Sequence, residues 1–188
     1  CSMTRRNFEE LQTSLGWNFS EGSLCADDRM RRLINPANTL VFDWMHTLFV
    51  HGVWNRHTWL LLQELKSSGV SFDCISDYAG KFVWPRGVKP YGVLLPNEIA
   101  KGADAESLKA SASEGLSLIS VIANFVQRIT EQHVHLQQHC DAYMKLARVI
   151  ALVQRCARGL VSAEAIDASV KGFLIAFKDL YGNQHVTP

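Results

Sequence analysis

From residue 97 onward the apolar residues of the chain recur every three to four positions, and that period limits what this half can fold into. In "ESLKASASEGLSLISVIANFVQRIT" the stripe is Leu108, Leu116, Ile119, Ile122, Ala123, Val126 and Ile129. In "QHCDAYMKLARVIALVQRCARG" it is Leu146, Val149, Ile150 and Val153, closed by Gly159. In "SAEAIDASVKGFLIAFKDLYG" it is Ile166, Val170, Phe173, Leu174 and Phe177, with Ser162 placed to cap the start, Glu164 in the first turn and Gly182 to stop the end. Side chains at that spacing share one face of an α-helix, and a polar cap before the stripe with a glycine after it marks the ends. Three amphipathic helices joined by short connections bury their stripes against one another, so the stretch predicts a bundle.

The first half is less regular. "TRRNFEELQTSLGW" predicts a short helix with Thr4 as N-cap, and "CADDRMRRLINP" a second, with acids in its first turn and arginines in its last, as the helix dipole favours. "NTLVFD" favours a strand through Thr39, Val41 and Phe42. After Asp43 the period changes, and Trp44, Leu48, Trp59, Leu62 and Leu65 fit one helical face out to about Lys66. Gly52 lies inside that run, where it weakens a helix by ~1 kcal/mol relative to alanine, so a kink or a close backbone approach is expected there. "FDCISDYAGKFVW" reads as another short helix capped by Ser71 or Asp73. "PRGVKPYGVLLP", dense in proline and glycine, reads as a loop or crossing segment and as the best internal boundary. The expected fold class is therefore mainly α, a helical bundle with a minimal β remnant. Residues 1–96 form one region and residues 97–188 the bundle.

Composition excludes some classes. Of 188 residues, 47% are hydrophobic and 20% charged, which is globular rather than disordered usage. A formal net charge of +1 argues against a strongly basic nucleic-acid domain but leaves room for a local basic groove. The five cysteines are widely spaced with no C-x-x-C pair, which suits reduced intracellular thiols. No apolar run approaches the ~18 residues of a membrane span. The first residue is not Met and "HVTP" ends without a terminal element, so the chain reads as a piece of something longer.

The chemistry-bearing candidates are few. A strand that ends in Asp43 and feeds a helix would present a short, stiff carboxylate where a divalent ion can sit, and two such ions clamp the attacking and leaving oxygens of a phosphodiester. His46, three residues on, falls on the same face of the first helical turn and could orient that carboxylate or touch phosphate. An Asp that only caps the helix explains the same residues. His133, His135 and His139 lie close in sequence, and a helix would put the last two on one face at a spacing zinc can use. Basic residues gather as Arg29, Arg31 and Arg32, and as Lys81, Arg86 and Lys89 in and beside the proline-rich loop, interleaved with Trp54, Trp84 and Tyr91. Such groups can touch phosphates and stack on bases, or be ordinary solvated faces.

The stretch "FDWMHTLFVHGVWNRHTWLLLQEL" resembles the D-x-x-H region of eukaryotic cut-and-paste DNA transposases with a ribonuclease-H-like core, and "FLIAFKDLYGNQHVTP" is similar to a segment of the Kyakuja-Dileera-Zisupton-like group. The resemblance implies that Asp43 is a catalytic, metal-binding acid and His46 the motif histidine. It further implies Mg²⁺ or Mn²⁺ as cofactor, transposon-end DNA as partner, a possible homo-oligomer, no membrane, and a nuclear location. Residues 1–96 would hold part of the catalytic core with a partial ribonuclease-H-like sheet, and residues 97–188 an insertion-like bundle. The first catalytic acid would then lie before Cys1 and the last after Pro188 or late in the helical part, where Glu131 and Glu164 are candidates only by elimination, so the fragment would be inactive alone. The competing expectation is a non-enzymatic helical domain that binds a protein partner, from a domesticated or decayed element.

Overall fold

The computed structural model describes residues 4, 5, 7, 8, 27, 29, 44–50, 52–84, 89–156 and 158–182, and the chain divides into two compact units, Cys1–Phe42 and Asp43–Pro188. In the first unit Thr4 is the expected N-cap. Its Oγ1 accepts from the Asn7 N–H at 3.3 Å, and its carbonyl accepts from the Phe8 N–H at 3.0 Å. The Asp27 carboxylate accepts from the Arg29 N–H at 2.8 Å. The expected helix around Arg31 and Arg32 and the strand "NTLVFD" lie outside the described residues. No strand occurs among the described residues, and the structure is mainly helical.

The second unit begins with α1 (Trp44–Phe49) and α2 (Val53–Ser67). The single helix expected from Trp44 to Lys66 is thus two helices that pack on each other. The break falls at Gly52, whose extended backbone (φ −91°, ψ −174°) turns the chain back on α1. A Cβ at Gly52 would lie 2.2 Å from the Thr47 carbonyl oxygen and 2.6 Å from that of Leu48. The close approach expected at this glycine is therefore made, against the backbone of α1.

Next come α3 (Phe72–Gly80), with Ser71 at its N-cap, a 3₁₀ turn (Pro90–Leu94) and the one-turn helix α4 (Pro96–Ala100). The proline-rich segment thus holds short structure where a loop was expected. Pro90 and Pro96 each start a turn with the φ it needs and no N–H to spare. Residues 101–110 are not the helix that "ESLKAS" suggested. The Asn55 side-chain amide donates to the carbonyls of Leu108 (2.9 Å) and Ala110 (3.3 Å), and the Leu108 N–H donates to the Asn55 carbonyl at 3.0 Å. Arg56 donates to the Ala105 carbonyl and reaches the Glu106 carboxylate at 2.6 Å. α2 thus takes the Ala105, Leu108 and Ala110 carbonyls and the Leu108 N–H, while residues 101–107 close local turns.

The three long helices follow: α5 (Ala112–Thr130), α6 (Gln137–Cys156, entered through a 3₁₀ turn at Val134–Leu136) and α7 (Ala163–Tyr181). Ser111 and Glu114 form a capping box at the start of α5. Ser162 caps α7 as expected, accepting from the Ala165 N–H at 3.3 Å. α5 and α7 both pack on α6, and α2 lies against α6 as well. One apolar cluster draws on both sides of residue 96, including Leu61, Leu65, Ile75, Leu94, Leu118 and Leu146. Gly115 sits at its tightest point, where a Cβ would meet Phe49 at 2.5 Å and Trp54 at 2.9 Å, both fully buried. On α7 the buried residues are Phe173, Phe177 and Tyr181, whereas Leu174, expected in the stripe, is 42% exposed. The buried face is set by the spacing of four from Phe173 to Tyr181, which rotates Leu174 outward.

Candidate functional site

Asp43 lies outside the described residues, as do Arg31, Arg32 and Arg86. His46 is exposed on α1. Lys81 is exposed at the C-cap of α3, Lys89 is exposed just before Pro90, and Arg29 is exposed in the first unit. Among the described residues no group of three His, Cys, Asp or Glu side chains could hold a metal ion. The described residues therefore do not by themselves supply a Mg²⁺ or Mn²⁺ ligand set.

The histidines expected to share one helical face do not do so. α6 begins at Gln137, so His135 belongs to the preceding 3₁₀ turn and only His139 to the helix. His135 Nε2 lies 2.9 Å from Ser68 Oγ, and His139 Nδ1 lies 3.0 Å from the Tyr181 hydroxyl. Each ring is committed to a different neighbour, at the end of α2 and the end of α7 respectively. Burial lowers the His139 pKa and nearby His135 adds to that, with Glu64 opposing.

A site the sequence did not reveal lies beside this pair. His57 of α2 is fully buried among four rings: Tyr143 of α6 at 5.3 Å between centroids, and Phe173, Phe177 and Tyr181 of α7 at 5.6, 5.1 and 5.5 Å. Neither imidazole nitrogen has a hydrogen-bond partner. Burial, with a smaller contribution from His139, pushes its pKa down to about 3, so the ring is neutral. One turn away the Trp54 indole N–H donates to the Tyr143 hydroxyl at 3.0 Å, with Thr58 Oγ1 at 3.4 Å from the same oxygen. Burial raises the pKa of both Tyr143 and Tyr181. Cys140 is likewise pushed up to about 11 by burial and by Asp141, which leaves a protonated, poorly nucleophilic thiol. Spacing held a signal: Trp54, His57, Leu61 and Leu65 follow one another at three and four residues, a helical face that includes the histidine.

These groups are dry, neutral and packed, so they hold α2, α6 and α7 together and present no reactive atom to a substrate. An open cleft of about 280 Å³ between α6 and α7 is lined by Asp141, Lys145 and Asp179 around Ala142 and Ala176, and Asp141 is already bonded to Gln137 at 2.8 Å.

The other surface of interest is at the end of α3. Tyr78, Phe82 and Trp84 form a chain of rings, with Tyr78–Phe82 centroids 5.4 Å apart and Phe82–Trp84 centroids 6.2 Å apart. The Arg128 guanidinium of α5 lies 5.9 Å over the Tyr78 ring. Of the basic and aromatic group expected from the sequence, Lys81 and Lys89 are exposed and Trp84 and Tyr91 half-buried, whereas Trp54 is fully buried in the core; Tyr78, Phe82 and Arg128 are not in that group, and Arg128 comes from a distant helix.

Among the described residues no helix is long and apolar enough to cross a membrane. The chain matches no known family, no curated protein and no solved structure.

Proposed function

We propose that this chain is part of the catalytic region of a DNA transposase, acting in the nucleus on transposon-end DNA by metal-dependent phosphodiester hydrolysis and strand transfer. One observation carries the reading: the D-x-x-H segment stands at the threshold of a long helical region, with His46 exposed on α1, the helix that directly follows Asp43. A helical insertion after that motif is what the resemblance implies, and α1 to α7 are consistent with it. In this reading Asp43 is one carboxylate of the metal site and His46 lies at its rim. In this reading the remaining acids come from outside the described residues.

The test is strand transfer by the parent protein on labelled transposon ends with Mg²⁺. Replacing Asp43 by Asn removes a charged ligand and should lower the rate at least ~100-fold, whereas folding should be kept. Full activity in Asp43→Asn would defeat the proposal. A second reading, a helical protein-interaction domain without catalysis, draws support from α7, where Leu174 and Ile175 are 42% and 62% exposed side by side. In that case Leu174→Ser with Ile175→Ser would abolish partner capture, and Asp43→Asn would not.

A further inference from the structure

The end of α3 carries rings and cations at the rim of the core: Tyr78, Trp84 and Tyr91 are half-buried against it, and Phe82 is exposed. Tyr78 is anchored from behind by Phe125 at 5.2 Å between centroids, and its hydroxyl donates to the Asn124 side-chain carbonyl. Trp84 is fixed by its indole N–H, which donates to the Ala79 carbonyl at 3.0 Å. Two rings are therefore held in place, and the third, Phe82, stands between them 41% exposed. Tyr91 adds a fourth ring nearby, since a Cβ on Gly80 would lie 3.9 Å from its Cε2. Lys81 is exposed next to Phe82, and Arg128 lies over Tyr78, while Asp73 and Asp77, both exposed, are the two acids of α3.

A ring ladder flanked by ammonium and guanidinium groups suits a ligand that alternates flat π-faces with negative charge. A single nucleic-acid strand is such a ligand. A duplex is a poorer one, because its bases are already stacked on each other.

We infer that the face formed by Tyr78, Phe82 and Trp84, with Lys81 and Arg128 at its edge, binds unpaired nucleotides of a DNA strand, the bases stacking on Phe82 and the phosphates meeting the cations. The choice of DNA rests on the transposase reading. The face itself would serve an enzyme that must hold a strand separated from its complement.

Binding of the chain to a short fluorescein-labelled oligo(dT), read by fluorescence anisotropy over a range of salt, tests this against the duplex of the same length. The single strand should bind more tightly. Phe82→Ala should weaken it by about five- to 100-fold, the worth of one stacked base. Arg128→Gln should reduce the slope of log affinity on log salt by about 0.7, one phosphate contact on a single strand. Val83→Ser, at a fully exposed apolar neighbour, should change neither. An affinity within about twofold of the parent chain in Phe82→Ala overturns the inference. An equal loss in Val83→Ser also overturns it and points to an apolar protein contact. Its failure is separable from that of the transposase reading. Oligo(dT) binding through Phe82 without strand transfer by the parent protein leaves the face and removes the enzyme. Strand transfer that survives Phe82→Ala with unchanged oligo(dT) binding does the reverse.

Discussion

At the scale of single residues, His57 is the least expected group in the molecule. An imidazole whose two nitrogens are both without partners in the interior forfeits its hydration, and such a group costs about 1–3 kcal/mol. The surrounding rings of Tyr143, Phe173, Phe177 and Tyr181 offset part of that through packing. The same burial makes folding depend on acid. An unfolded histidine titrates near 6.5, and folded His57 near 3. Above pH ~6.5 both states are neutral and His57 adds no pH dependence. As pH falls from about 6.5 toward 3, the unfolded chain takes up a proton that the folded one refuses, and stability drops by about 1.4 kcal/mol per pH unit from this residue. His139, also depressed, acts in the same direction. Urea unfolding of His57→Phe between pH 7 and pH 4 should therefore show a slope smaller by about one proton's worth, whatever the variant's stability at pH 7. An unchanged slope would mean that His57 is hydrated in the fold. The sequence held the position of His57 on an apolar face, but not that the face opposite would be made of rings from α7, more than a hundred residues on.

Among the elements, those that depend on local chemistry were legible and those that depend on a distant partner were not. Thr4 and Ser162 cap the helices they precede, because a cap needs only its own next three residues, and Ser71 holds the N-cap position of α3 without a side-chain cap bond. Residues 101–110 defeated the reading, because Asn55 and Arg56 of α2 claim their carbonyls. The proline-rich segment folded further than its composition suggested, since proline also starts turns. Leu174 left the stripe for the reason given by Phe173, Phe177 and Tyr181: a period of four with a tyrosine as its last member. At the α1–α2 joint, Gly52→Ala would force the Thr47 and Leu48 carbonyls away from the new methyl. Such overpacking costs about 1–3 kcal/mol, and each kcal/mol lowers the Tm of a domain this size by about 2–4 °C. A thermal melt should thus shift down by roughly 2–12 °C with little loss of native helical circular dichroism. A Tm unchanged in Gly52→Ala would show that α1 can swing away freely.

For the second unit as a whole, the apolar cluster makes one cooperative body. Trp54 reaches from α2 to Tyr143 of α6, His57 reaches from α2 to α7, and Gly115 brings α5 against α1 and α2. Denaturant melts followed by far-ultraviolet and near-ultraviolet dichroism should coincide in one transition. A separate early loss of helix would instead mark α7 as independently detachable. The bundle was legible because three stripes of period near 3.6 fit few other architectures. The proposed chemistry rests on a motif alone: Asp43 and His46 stand three residues apart, and periodicity does not locate the acids a metal site would need. The ring-and-cation face was half legible, since Lys81 and Trp84 are neighbours in the chain and Arg128 is not.

Gly115 also constrains how this sequence can change over generations. A methyl at that position collides with Phe49 and Trp54 together, so either ring must shrink before the position is free to vary, and the order of the two replacements matters. A sequence that keeps both aromatics would be held to glycine there, and one that lost either ring would have a path open that the first lacks.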